Sequence, residues 1–219
     1  MRLPKSSRVS YRVKRLSVGQ MQANCYLVID ESLGQAVIID PGDDVEYIID
    51  ILSQLVVRPM AILATHGHFD HVMAGFAIQH AFSIPFYMNP LDQFLLDGME
   101  ASAKHFLGLP RADPAPTITH GLEGDMVLVC GSIKFSIISS PGHTPGSVSI
   151  LTDDRKIIFV GDLLFQGGSV GRTDFSYSDS TQLKNSVQQI LDLPDTTILY
   201  PGHGDATTVG EETLYHRAT

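Results

Sequence analysis

Cysteine is almost missing from this sequence of 219 residues: Cys25 and Cys130 stand far apart, and no Cys-x-x-Cys pair occurs. That excludes a disulfide framework and a thiolate zinc site, and both residues are expected to be small buried groups in a reducing cytoplasm. Nothing beside Cys25 would depress its pKa, so it is not read as a nucleophile. No apolar run is long enough to cross a membrane. The basic start, Met1 to Arg8, is followed by Arg12, Lys14 and Arg15 rather than by an apolar stretch, so no export signal is expected. Basic residues are outnumbered, 15 against 24 acidic, for a net charge of -9. A chain of that sign suits neither a phosphate backbone nor a nuclease role, which excludes nucleic acid as the main ligand. Gly167, Gly168 and Gly171 are not followed by Gly-Lys-Ser/Thr, so they form no phosphate loop. Repeats, low-complexity tracts and linkers are absent, and one domain over residues 1–219 is expected.

What is present is a series of short apolar or alternating runs: Ala23 to Ile29, Gln35 to Ile39, Met60 to Ala64, Met126 to Val129, Ile133 to Ser139, Ser147 to Leu151, Lys156 to Val160 and Thr197 to Tyr200. These read as strands. Helical patterns lie over Val45 to Leu55, Val72 to His80, Leu91 to Phe106 and Ser180 to Leu191. Thr208-Val209-Gly210-Glu211 is a capping box that starts a short final helix. Asp43 and Asp44 are placed to cap the first helix. Runs of strands broken by single helices suit an α/β (α+β) fold of two packed sheets covered by helices. The proline-rich stretch Gly108 to Gly121 reads as a surface connection between two halves of that fold.

Thr65-His66-Gly67-His68-Phe69-Asp70-His71 packs three imidazoles and a carboxylate into seven positions directly after a strand. Imidazole and carboxylate are the side chains that bind zinc, iron or manganese. Three further strand ends deliver a donor through a glycine turn: Pro141-Gly142-His143, Gly161-Asp162 and Pro201-Gly202-His203. His66, His68 and His143 can make one site, Asp70, His71 and His203 a second, with Asp162 bridging them. Two ions so held would lower the pKa of a shared water towards about 7. Asp40, between a strand and Pro41-Gly42, reads equally as a turn cap and as a carboxylate behind a ligating imidazole. His80, His105, His120 and His216 lack such settings, and only His120 is kept as a remote substrate contact.

Asp40-Pro41-Gly42, Thr65 to His71, Pro141-Gly142-His143, Gly161-Asp162 and Pro201-Gly202-His203, in this order, resemble the metallo-β-lactamase fold superfamily. The resemblance implies an αββα sandwich with the metals at one edge of two mixed sheets. Asn24 to Val28, Ser139 to Ser147, Gly161 to Phe165, Gly168 to Asp174 and Pro201 to Glu211 look most like short bacterial-type glyoxalase II proteins. The longer members carry a C-terminal helical domain that helps to bind glutathione, and no such domain is seen here.

That resemblance implies a thioester hydrolase acting on S-D-lactoylglutathione or a similar small molecule, with two divalent ions, Zn2+ first and Fe or Mn as alternatives. Asp70 and Asp162 are the expected catalytic carboxylates. Arg172 falls where the family has a basic residue on its substrate loop, although pairing with Asp174 is the slightly favoured reading. A similar-looking branch, the persulfide dioxygenases, uses one iron on positions matching His66, His143 and Asp162. Lactonases and phosphodiesterases on the same fold are further alternatives, as is a non-catalytic metal-binding module. No membrane or nucleic-acid partner is expected.

Overall fold

The computed structural model describes residues 10–108 and 112–216. Its first half runs β1 (Tyr11–Val18), β2 (Ala23–Asp30), β3 (Gln35–Ile39), α1 (Val45–Gln54), β4 (Arg58–Leu63), α2 (Phe69–Val72), α3 (Gly75–Phe82) and β5 (Phe86–Met88). A 3-10 turn over Pro90–Asp92 leads to α4 (Gln93–Asp97), α5 (Met99–Leu107) and β6 (His120–Gly121). The second half runs β7 (Val127–Cys130), β8 (Ile133–Ser139), β9 (Val148–Thr152), β10 (Ile157–Gly161), α6 (Ser180–Leu191), β11 (Ile198–Pro201), β12 (Thr207–Thr208) and α7 (Val209–His216).

These strands form two six-stranded sheets, ordered β1-β2-β3-β4-β5-β6 and β12-β11-β10-β9-β8-β7. Both are mixed: β3 to β6 pair parallel in the first, β10 and β11 in the second, and the remaining pairs are antiparallel. Alternation along each strand splits its side chains between two layers. Along β2, Tyr26 and Val28 face the core between the sheets, while Leu27 and Ile29 face the outer core under α1, α3 and α5. Along β10, Phe159 points inward, and Ile158 and Val160 point outward beneath α6. With both faces covered, every residue of β2 is buried. The result is the four-layer αββα sandwich of two mixed sheets flanked by helices. None of its described helices is long and apolar enough to cross a membrane.

Differences from the sequence reading have local causes. Strand β1 carries Arg12, Lys14 and Arg15 on a half-exposed edge, which masks its alternation. β5, β6 and β12 are too short to show a period. The expected helix from Leu91 to Phe106 is instead the 3-10 turn, α4 and α5, with Gly98 separating the last two. Neither Asp43 nor Asp44 caps α1: the Asp44 carboxylate accepts from the Gly19 N–H instead, and Asp43 accepts from the Asp44 N–H. The capping box at α7 is present, with Thr208 and Glu211 exchanging hydrogen bonds. Residues 112–121 are more than a surface strap. Pro116 is buried against Gly75, and the Gln79 amide bonds both backbone groups of Thr117. Residues 109–111 of that connection lie outside the described residues. Cys25 is buried, whereas Cys130, on the outer strand β7, is only half-buried.

At the rim where β2 ends, Asp30 ties the sheets together. Its Oδ1 accepts from Ser32 and Leu33, and its Oδ2 from the backbone and hydroxyl of Ser132 in the β7–β8 turn. Burial pushes this carboxyl up, but the hydrogen bonds from Ser132 and Ser32 outweigh it and hold the pKa at about 2. Asp30→Ala, which strands these donors, is expected to lower unfolding free energy by about 2–3 kcal/mol in urea titrations. Because the folded pKa lies below the unfolded value of about 4, the wild-type contribution is complete above that pH and disappears as pH falls towards 2. A variant matching wild type at both pH 7 and pH 2.5 would remove this clamp from the account.

Candidate metal centre

Every donor found in the sequence sits where a strand has just ended at the rim opposite Asp30. β4 leads into Thr65 and His66, and one turn of helix, α2, follows with His68 at its N-cap position in extended conformation. That turn lets the neighbours Asp70 and His71 reach the same space. β8 delivers His143, β10 delivers Asp162, and the parallel neighbour β11 delivers His203 beside it. Gly202 has no room for a Cβ, which would strike the Asp162 carboxylate and lie 2.7 Å from His71 Cε1. The sheets also join here through backbone, Asn24 N–H to Gly202 O at 2.7 Å and Val148 N–H to Thr65 O at 2.9 Å.

The side chains assemble into two groups. His66, His68 and His143 form one, and Asp70, His71 and His203 the other, each with its donor atoms within 4.8 Å of one another. In the first, His68 Nδ1 lies 3.1 Å from His66 Nε2 and 3.0 Å from His143 Nε2. In the second, His203 Nε2 is 3.3 Å and His71 Nε2 3.8 Å from Asp70 Oδ2. Asp162 stands between the groups: Oδ1 is 3.5 Å from His71 Nε2, and Oδ2 is 3.7 Å from both His143 Nε2 and His203 Nε2.

Outer hydrogen bonds choose which ring nitrogen keeps its lone pair. His71 Nδ1–H donates to Asp40 Oδ2 at 3.1 Å. His66 Nδ1–H donates to Thr65 Oγ1, whose own hydroxyl donates to Asp40 Oδ2. His143 Nδ1–H donates to the Arg172 carbonyl, and His68 Nε2–H to the Tyr177 oxygen. Four imidazoles thereby aim bare nitrogens inward, as metal-ligating histidines require. Asp40 thus stands behind the imidazoles of His71 and His66 and is not a turn cap.

Electrostatics agree with that assignment. Burial pushes His66 well below its ordinary pKa, helped by the neighbouring imidazoles, and burial with His143 brings His68 to about 3, so both are neutral donors. Burial also opposes charge on His71, yet Asp162, Asp70 and Asp40 outweigh it and lift the ring to about 10, so this carboxylate field favours positive charge at Nε2, a proton or a metal ion in its place. Asp70 is held below the usual carboxylate range by His71 and His203 in spite of its burial. His71 Nε2 and Asp162 Oδ1 are buried, face each other and have no hydrogen-bond partner. A carboxylate oxygen and a ring nitrogen aimed at one space without a hydrogen bond leave room for a cation between them, and the hard oxygen and borderline nitrogen donors fit a divalent ion.

Beside the donors opens a cavity of about 500 Å³. Asp70, Asp162, His68, His143 and His203 line it, as does Arg172. Arg172 is not free there: its Nε and Nη2 hold the Asp174 carboxylate at 2.9 and 2.7 Å, and it lies 4.7 Å over the Phe175 ring. His120 is elsewhere, stacked on Tyr87 at 4.8 Å, and does not line the cavity.

Three positions escaped the sequence reading. Tyr177 orients His68. Glu212 of α7 is fully buried and accepts from the backbone of Gly167 and Gly168, holding the loop that lines the cavity. Asp92 is fully buried in the 3-10 turn, where Oδ2 accepts from Gly67 N–H and Thr144 hydroxyl and Oδ1 from Gly146 N–H. It binds the His66-Gly67-His68 loop of one sheet to the His143 loop of the other. An aspartate early in a helical pattern ordinarily reads as a helix-end charge, which hid it.

A four-layer sandwich with two adjoining His/Asp donor groups at one rim is the architecture of a metal-dependent hydrolase. Residues 18–203 match the family model described as Metallo-beta-lactamase superfamily, and the chain belongs to that superfamily. A Haemophilus influenzae protein named hydroxyacylglutathione hydrolase GloC is 37% identical over 203 residues, covering 91% of this chain and 94% of that protein. The crystal structure of BLEG-1 B3 metallo-beta-lactamase superposes with a TM-score of 0.85 at 38% identity, covering 94% of this chain and 98% of that one. TTHA1623, solved in a di-iron-bound form, gives 0.83 at 38% identity over 91% of this chain and 96% of that one.

Asp92→Ala leaves three buried donors without an acceptor and frees the two donor loops from each other. We expect a loss of about 3 kcal/mol in stability and a fall of about 10–100-fold in zinc affinity, read by chelator competition on the folded variant. Undiminished affinity would show that the loops are held without it.

Proposed function

We propose that this protein is a dinuclear metal-dependent thioester hydrolase, with S-D-lactoylglutathione as the reference substrate of the class it cleaves. The observation that carries the reading is the pair of donor groups sharing Asp162 at the floor of a substrate-sized cavity. The likeness to the Haemophilus influenzae hydroxyacylglutathione hydrolase supports the choice of thioester. His66, His68 and His143 would hold one ion and Asp70, His71 and His203 the other, with Asp162 common to both. Zinc is the proposed metal, and iron or manganese suit the same donors. Such ions, when bound, supply hydroxide at neutral pH and polarise an acyl carbonyl.

The protein's own groups do the positioning. Asp40, through His71 and Thr65, and Tyr177, through His68, keep the donor nitrogens aimed. Asp70 and Asp162 supply the negative charge of the centre and orient the proton of the attacking nucleophile away from the carbonyl carbon. The walls formed by Phe175 and Tyr177 limit water around the acyl group. A thiolate leaves readily, so no general acid is required.

Zinc-loaded protein is expected to hydrolyse lactoylglutathione, to lose activity on metal stripping and to regain it on reloading. Asp162→Ala should lower kcat/KM by about a thousand-fold or more, about 4 kcal/mol of transition-state stabilisation. Fully metallated protein without thioester turnover would overturn the proposal. One iron per chain with oxygen consumed on glutathione persulfide would replace it with the dioxygenase reading.

A further inference from the structure

Hydrocarbon surrounds the donor groups on both flanks. Phe175 lies 5.3 Å from His68 and 6.1 Å from His143, and it stacks on Tyr177 at 5.2 Å with planes 8° apart. Phe165 lies 6.4 Å from His203 on the other side. Farther out, Phe106 stacks on Phe69 at 5.7 Å. The rim is apolar too: Met21, Phe106 and Val170 are 41%, 52% and 42% exposed, though large and hydrophobic. Such side chains gathered on one concave surface mark a ligand site rather than scattered surface exposure. A hydroxypropanoyl group of three carbons would occupy a small part of the roughly 500 Å³ available.

Charge gives an independent indication. Among the described residues lining the cavity, Arg172 is the one Lys or Arg side chain, and Asp174 already holds it through two nitrogens. Exchanging Asp174 for a substrate carboxylate swaps one exposed ion pair for another and gains little. A peptide thiol with two carboxylates therefore finds no unengaged Lys or Arg in this lining, whereas an apolar acyl chain finds Phe106, Phe165, Phe175 and Tyr177.

We propose that the cavity selects thioesters by an apolar acyl group, aromatic or of medium chain length, and that the thiol half contributes little to recognition. This rests on the thioester hydrolase reading. Its mechanism is burial: each methylene removed from water against Phe175, Tyr177 or Phe106 strengthens transition-state binding, and several together exceed what the lactoyl hydroxyl can recover.

The test uses the zinc-loaded full chain and a matched set of S-lactoyl, S-hexanoyl and S-phenylacetyl glutathione, with S-hexanoyl-N-acetylcysteamine as the thioester of an uncharged thiol. kcat/KM is expected to rise at least about ten-fold from lactoyl to hexanoyl or phenylacetyl. It should change by less than about three-fold between the two hexanoyl thioesters. Phe106→Ala, at a half-exposed position, should cut the hexanoyl-to-lactoyl ratio by about three-fold or more in protein whose folding is checked by thermal melting. Lactoylglutathione as the best substrate, or a loss above about ten-fold on the uncharged thiol, would overturn the apolar-acyl proposal and leave the hydrolase reading intact. No turnover of any thioester would overturn both.

Discussion

The group of three imidazoles depends on one buried carboxylate that hydrogen-bonds to none of the rings. Asp92 joins Gly67, between His66 and His68, to Thr144 and Gly146, which flank the turn after His143. The first loop grows from one sheet and the second from the other, so the triad of imidazoles spans a seam. Burial raises the pKa of Asp92, the hydrogen bonds it accepts oppose that rise, and the arrangement persists because every acceptor direction in use meets a donor. Asp40 plays the matching part for the second group, holding His71 directly and His66 through Thr65. Its backbone φ of 52° is an uncommon conformation for a residue with a side chain, and two hydrogen bonds from Thr65 hold the carboxylate in place.

Lone pairs that face one another repel, so a centre of this kind has to be assembled by the scaffold. Carbonyl, hydroxyl and carboxylate acceptors behind the rings do this by consuming the outward N–H of four imidazoles. Parallel pairing of β10 with β11 does the rest, since it sets the ends of two strands side by side and brings Asp162 next to His203.

The central strands and the donor residues were readable because their signals are local. Leu27 and Tyr26 alternate between two cores, and His66, His68, Asp70 and His71 crowd one short segment. The grouping of His143 and His203 followed from glycine turns after apolar runs. Positions whose meaning is purely long-range were not readable. Asp92 acts across 25 residues on one side and 52 on the other, Glu212 across 45, and no spacing rule announces such contacts. The edge strand β1 was hidden by its three basic residues, and β5 and β6 by their length. Arg172 lines the cavity, and its pairing with Asp174, the reading slightly favoured from the sequence, is present.

The contact of Glu212 with Gly167 and Gly168 changes the status of the last helix. α7 is remote from the donors in sequence and supplies none of them, but its buried carboxylate is a peg on which the loop carrying Phe165, Val170 and Arg172 hangs. The helix is a strut for the cavity mouth. A disturbance at its final turn would be transmitted as a change in the shape of the opening while the His and Asp donors stayed where they were.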